Sequence, residues 1–306
     1  MIRYVSRRIT QSLFILLGVS FITFLLLYIL PADPAVQIAG RSATPETVAT
    51  IRSQLGLDQP LFVQYFHYMT NLLQGDLGRS YLQKSEVSSL ILSRLGPTLT
   101  LMLCAIAIEL LIGLTLGILA AMNRGKVVDK VLMVLSFVSV SAPQFIASIL
   151  ILYIFAVKLG WFPIGGYGTP AHLVLPALTL GLLGSGWYSR VMRSSMLDVL
   201  RQDYIRTARA KGAPMSRIIR VHAFKNAILP IIAMIGLDIG IFMSGIVVVE
   251  SVFGWPGIGQ LAWQAIQRVD IPIIMGVTLV SAIAIVIGNL IADLVSPFVD
   301  PRVKIK

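Results

Sequence analysis

The sequence predicts an all-α membrane protein of six transmembrane helices with both chain ends on one side, and three observations carry that prediction. Of its 306 residues 56% are hydrophobic and only 13% charged, and mean hydropathy is +0.84. A water-soluble surface uses about 25% charged residues. Six apolar runs then stand out, at residues 9–30, 98–122, 131–157, 173–191, 227–249 and 271–295. Each is long enough to cross a hydrocarbon core. Finally, the excess of basic residues, a net charge of +11, is gathered into short clusters between those runs.

The first run follows Arg3, Arg7 and Arg8 and is too long for a cleaved secretory signal, so residues 1–30 read as a retained first helix. Residues 31–96 read as an insertion outside the membrane. There Thr44-Pro45-Glu46 is an N-cap, a first-position proline and a first-turn acid. Val48, Ile51 and Leu55 follow on one face. Pro60 opens a second helix whose Phe62, Phe66, Met69 and Leu73 are expected to rest on the bundle or on the bilayer surface, and Gly75-Asp76-Leu77-Gly78 ends it as a turn.

The remaining five runs form a core over residues 97–306. In the second, Gly113 and Gly117 make a close-packing pair, which serves a contact within the chain or one with a second chain equally well. The lone cysteine, Cys104, sits in the same run and reads as a small apolar side chain. Ser141-Ala142-Pro143 interrupts the third run, where the proline removes a backbone donor and predicts a kink or break. Gly236, Gly240 and Ser244 form a small-residue face in the fifth. Trp161, Trp187, Trp255 and Trp263 are expected near the membrane interfaces.

Orientation follows from the loops. Arg3, Arg7 and Arg8, then Arg124, Lys126 and Lys130, then nine cations between Arg190 and Lys225, then Arg302, Lys304 and Lys306 all fall on one side of a six-helix path. The insertion on the other side is balanced: Arg41, Arg52, Arg79, Lys84 and Arg94 meet Asp33, Glu46, Asp58, Asp76 and Glu86. Both ends are therefore expected in the cytoplasm. This placement assigns the positive charge to membrane topology rather than to nucleic acid.

Residues 196–226 form the unusual loop. Residues 196–210 read as a helix, Gly212 as its stop, and Pro214 as the opening of a second, shorter helix with Ile218, Ile219 and Phe224 on its apolar side. The residues alone leave two readings open, a docking element and a solvated basic loop.

The stretch Tyr204-Ile205-Arg206-Thr207-Ala208-Arg209-Ala210-Lys211-Gly212 resembles the EAA loop of binding-protein-dependent ABC importer permeases of the dipeptide, oligopeptide, glutathione and nickel subgroup. Arg206 replaces the usual glutamate and Thr207 the first alanine, while Ala208 and Gly212 match. His222, Asn226, Ala227 and Leu229-Pro230 continue the pattern. Leu30-Pro31-Ala32-Asp33-Pro34, Leu55-Gly56-Leu57-Asp58-Gln59-Pro60 and Gly75-Asp76-Leu77-Gly78-Arg79-Ser80 are also similar to the family. So are the run from Val249 through Gly254-Trp255-Pro256-Gly257 to Gly259 and the closing Asp300-Pro301-Arg302.

The resemblance implies a permease subunit in a bacterial inner membrane. It would be paired with a second homologous permease, two ABC ATPase subunits and a periplasmic solute-binding protein that delivers small peptides. Arg206, Thr207, Ala208, Lys211, Gly212 and Ala213 would couple to the ATPase, with Gly212 and Ala208 small for a tight turn and close contact. ATP and Mg would be bound by the partners, and this chain would bind no cofactor. The sequence agrees, since it holds no phosphate loop: Gly125-Lys126 is followed by Val127 and has Ala120 where the first glycine belongs.

Asp238, Glu250 and Pro143 are the candidates for the translocation pathway. Charge within a span is costly, so Glu109, Asp238, Glu250 and Asp293 are expected to face the bundle or water. Asp238 is expected alone at its depth, to meet a peptide's amino terminus or to serve as a structural acid. His67, His172 and His222 are dispersed and predict no metal site. A secondary transporter would want a second broken helix to match Pro143. An intramembrane protease would want paired acids or H-E-x-x-H. The insertion and residues 254–268 are the expected contacts for the binding protein.

Overall fold

A computed structural model describes residues 2–29, 34–40, 43–54, 56–243 and 246–299, with the side chains of 2–5, 26–29, 34, 37 and 292–299 left out. Several sequence features fall outside this description: the Leu30-Pro31-Ala32-Asp33-Pro34 motif apart from the backbone of Pro34, the side chains of Arg3 and Asp293, and Arg41, Leu55, Ser244 and the residues from Asp300 onward. Among the described residues the regular structure is helical, apart from an isolated backbone bridge between Arg79 and Glu86.

The chain begins with α1 (Ile2–Ile29), followed by three short helices of the insertion: α2 (Pro34–Ala39), α3 (Pro45–Gln54) and α4 (Leu61–Leu73). Thr44 caps α3 as expected, its hydroxyl accepting the Thr47 N–H at 3.3 Å. Of the two expectations for the Phe62 and Phe66 face of α4, the bundle contact is made by other residues and the bilayer-surface one stays open. Tyr65 and Tyr68 pack against Phe24 of α1, whereas Phe62, Phe66 and Leu73 are exposed. Gly75 and Gly78 adopt left-handed φ of 81° and 82° in the turn after α4, where Asp76 Oδ1 accepts the Gly78 N–H at 2.8 Å. The following loop is latched to the bundle by Asp270, whose carboxylate accepts from the Ser80 hydroxyl and the Leu82 amide. Burial first, and then the Asp270 charge, push the Tyr81 phenol up to about 12, so it stays a neutral wall of this latch.

Helix α5 (Val87–Met122) starts eleven residues before the expected 98, with Pro97 inside it. An interior proline lacks a donor and commonly breaks a helix. Here the helix continues through it, and the Pro97 carbonyl is used by the Trp255 indole N–H at 3.0 Å. The boundary expected at residue 97 therefore falls inside a helix. Helices α6 (Val127–Ser141) and α7 (Gln144–Leu152, prolonged by a π-helical turn Tyr153–Lys158) meet at Ala142-Pro143 with a 101° bend. The predicted kink is thus a full break.

Helix α8 (Pro170–Val199) runs parallel to α5, and glycines set the spacing. A Cβ on Gly117 would lie 2.6 Å from the Ser189 carbonyl and 2.7 Å from Met192 Cβ, and one on Gly113 would lie 2.9 Å from the Ser185 carbonyl. The glycine pair therefore serves a contact within the chain. At its far end the chain forms α9 (Asp203–Ala210), α10 (Met215–Arg217), a π-helical stretch Ile218–Ala223 and α11 (Phe224–Ala227). The single helix expected over 196–210 is broken at Leu200–Gln202, which lets Ile205 turn back and bury completely with Met196 and Ile218.

Helix α12 (Leu229–Met243) is bent 49° from the preceding segment, and Ile246 lies outside helix with ψ 54°, so the fifth run is not one continuous span. Its glycine face meets α15 (Ile271–Val299): a Cβ on Gly240 would come within 3.1 Å of Ile285, and one on Gly288 within 3.1 Å of the Gly236 carbonyl. Between them lie α13 (Val247–Val252) and α14 (Ile258–Arg268). Among the described residues three helices are long and apolar enough to cross a membrane alone, and up to five segments are if each bent pair is one span. Helix α8 has the length, at 30 residues, but carries Arg190, Arg193 and Asp198 in its last third.

Candidate functional site

The hairpin of α9 to α11 is built around its turn. Gly212 stands at φ 77°, a conformation that costs an L side chain strain. Its N–H donates to the Arg209 carbonyl at 2.9 Å, and the Ala213 N–H donates to Ala208 at 3.1 Å. That pair of bonds is the Schellman arrangement, which satisfies the last carbonyls of α9 and reverses the chain. Asn226 donates to the Tyr204 hydroxyl at 2.9 Å and closes the second arm onto the first.

The expected coupling residues divide into two sets. Arg206, Thr207, Lys211 and Gly212 are exposed. Ala208 and Ala213 turn inward and pack on the buried cluster of Ile205, Ile218 and Ala223. The small size of Ala208 is therefore used within the hairpin.

Residues expected along a pathway are placed apart. Pro143 lies exposed at the α6–α7 break. Asp238, on α12, accepts a hydrogen bond from the Tyr188 hydroxyl of α8, and Glu109 of α5 stands beside it. The expectation that Asp238 is alone at its depth is corrected here. Glu109 is mid-helix because α5 begins early, and its position brings a second carboxyl to the same place. Glu109 is 3% exposed, and its Oε2 has no hydrogen-bond partner among the described residues. Gly184 makes the room, because a Cβ there would collide with the Glu109 carboxyl. Sequence reasoning missed this cluster; the one signal available was Gly184 within a predicted span.

Glu250 is fully buried, and its oxygens accept from the Thr98 hydroxyl at 3.2 Å and the Gln260 N–H at 2.7 Å. It thus anchors the N-terminus of α14, where the helix dipole favours an anion. Neither oxygen faces open space, and the contacts described give Glu250 an anchoring role. Trp255 departs from the aromatic-belt reading in the same region: it is 2% exposed and meets Tyr167 edge-on at 4.9 Å. Trp161, Trp187 and Trp263 are exposed.

Where α5 turns into α6, Asp129 accepts from Arg193 of α8 through two bonds, Nε at 2.6 Å and Nη2 at 2.7 Å, and from the Gly125 N–H at 2.9 Å. Hydrogen bonding to Arg193 is the main reason its carboxyl is held below the ordinary aspartate range. A depressed native value means the contact's stabilisation is complete above about pH 3.9, the unfolded value, and is lost as pH falls through the native one. Acid melting curves in detergent are expected to show this loss in the native protein and not in Asp129→Asn.

At the other end, a cavity of about 620 Å³ lies between the insertion and α15, with Gln54, Gln59, His67, Asn71 and Asp76 among its lining residues. No group of three or more metal-ligating side chains occurs among the described residues.

Residues 113–305 match the family described as the binding-protein-dependent transport system inner membrane component, and residues 1–102 match the N-terminal region of such membrane components. The chain belongs to this family. A Brucella suis biovar 1 protein named as a peptide permease is 42% identical over 318 residues, covering all of both chains. The glutathione transport system permease protein GsiC of Salmonella choleraesuis is 40% identical over 306 residues, again covering both completely. Among solved structures, the inward-facing MetNI methionine ABC transporter matches with a TM-score of 0.57 at 17% identity, over 69% of this chain and 96% of that one. That likeness shows the shared fold, the ABC importer permease architecture expected from the sequence.

Proposed function

We propose that this permease forms half of the translocation pathway of an ATP-driven importer for small peptides in a bacterial inner membrane. A periplasmic binding protein delivers the peptide, a second homologous permease supplies the other wall, and two ATPase subunits holding ATP and Mg drive the cycle. The chain crosses six times with both ends in the cytoplasm. The observation that carries this reading is the α9–α11 hairpin. It is a buried-core turn presenting Arg206, Thr207, Lys211 and Gly212 outward at the end of the bundle where the basic loops gather. Rigid support with an exposed tip is what a docking element needs.

The insertion and α14 form the proposed surface for the binding protein, with the cavity of mixed lining as its concave part. Glutathione is the second reading for the substrate, favoured by the Salmonella relative. It is itself a tripeptide, so the two readings share a chemistry of amide groups and charged termini.

Purification through a tag on this chain tests the assembly. Recovery with two ATPase chains and a second permease is expected; a stable, monodisperse chain alone would count against it. Within the pathway, Asp238→Asn is expected to slow uptake of a dipeptide with a free amino terminus about tenfold, the scale of one charge-assisted hydrogen bond. Proteoliposome uptake equal to the native rate would return Asp238 to a purely structural bond with Tyr188.

A further inference from the structure

The geometry points to Asp129 and Arg193 as positioning residues that make α6 travel with the ATPase-coupling hairpin. The inference rests on the importer reading above and adds the route by which hairpin movement enters the membrane.

Three contacts fasten α6 along α8, which run antiparallel. The first is the two-bond pair between Asp129 and Arg193. It also captures the Gly125 N–H, so the α5–α6 turn is held by the same carboxylate. Asp129 is 4% exposed and the Arg193 side chain 26%, so the carboxylate side of the pair is shielded from the water and salt that weaken surface ion pairs. Two parallel bonds to a planar guanidinium fix direction as well as distance. The second contact is the Ser136 hydroxyl bonded to Ser189 at 3.1 Å. The third is Gly186, where an added Cβ would collide with the Ser136 carbonyl and lie 2.9 Å from Val140 Cγ2. These contacts run from the first turn of α6 nearly to its end.

Helix α8 ends at Val199, and three residues separate it from α9 of the hairpin. Ile205 and Ile218 bury against Met196 and Met192 of α8, so a force on the exposed tip reaches α8 through packed side chains. Packed elements of this kind shift as units. Arg193 lies on the part of α8 that receives this force, and Asp129 hands it to α6. Beyond Ser141 the helix stops. Ala142 and Pro143 are both extended, with ψ 125° and 127°, and α7 leaves at 101° to pack on α8 and α13.

The experiment uses the full importer in proteoliposomes, reading substrate molecules carried per ATP hydrolysed. Asp129→Asn and Arg193→Gln are each expected to lower that ratio about tenfold while the complex assembles and hydrolyses ATP. Exchanging the charges, Asp129→Arg with Arg193→Asp, is expected to recover part of the ratio. A native ratio in Asp129→Asn would overturn the proposal.

Should these variants fail to assemble, the native contacts are read directly. In a Cys104→Ala background, spin labels at the exposed positions Val134 and Val221 are expected to keep their distance within about 2 Å between ATP-free and ATP-trapped states. A larger change would overturn the proposal. Absence of ATP-dependent transport in the unsubstituted complex would instead sink the importer reading, so the two failures are distinct.

Discussion

Gly212→Pro is expected to abolish ATP-driven transport, by about a hundredfold or more, while the chain still inserts and the bundle still folds. Gly212 occupies φ 77° and gives its N–H to Arg209. Proline is locked near φ −65° and has no N–H, so it fails on both counts. The cost, about 3 kcal/mol or more, falls on a turn that sits outside the bundle core, so the loss is of docking geometry. Two measurements separate the effects. Membrane yield and thermal unfolding of the permease are expected near native values, and co-purification of the ATPase subunits is expected to drop. Gly212→Ala keeps the donor and carries only left-handed strain of about 1 kcal/mol, so it is expected to transport at a reduced rate. Native transport by the proline variant would remove the hairpin from the coupling mechanism.

The second large effect is expected at Glu250. Its carboxylate fills the space beside Gly257, where a Cβ would overlap it, and it holds the Gln260 N–H and the Thr98 hydroxyl. Thr98 in turn accepts the Ile258 N–H at 2.8 Å. Glu250→Ala strips partners from buried groups and opens a void, with an expected loss of about 3–5 kcal/mol. Thermal unfolding in detergent is the measurement, with Glu250→Gln expected to retain part of the stability through its amide oxygen. If Glu250 instead contacted substrate, the alanine variant would lose transport and keep its melting temperature.

The two sites differ in how far the sequence revealed them. Helical runs, the break at Pro143 and the stop at Gly212 were legible because proline and glycine act locally, through a missing donor or an allowed φ. Gly113 and Gly117 announced a close contact without naming its partner, since partner choice depends on how α6 and α7 fold between them. The pairing of Glu109 with Asp238 joins positions 129 residues apart, and no local spacing encodes it. Glu250 is legible as an acid near a predicted span, while the helix end that occupies its carboxylate is not. Pro97 shows the same limit. Its carbonyl serves Trp255 from across the bundle, a use no window around residue 97 contains.

The parallel seam of α5 and α8 has a consequence for how the protein is made. Gly117 meets Met192 only after roughly 75 further residues have been synthesised, which takes about 4–15 s at bacterial to eukaryotic rates of elongation. For that interval the glycine groove of α5 and the Glu109 carboxyl are in the lipid without the surfaces that later cover them. The α6 and α7 segments emerge meanwhile and must leave the groove empty. Birth order thus runs against packing order, and the newborn chain passes through a window in which its tightest joint is open to any other helix at the exit site.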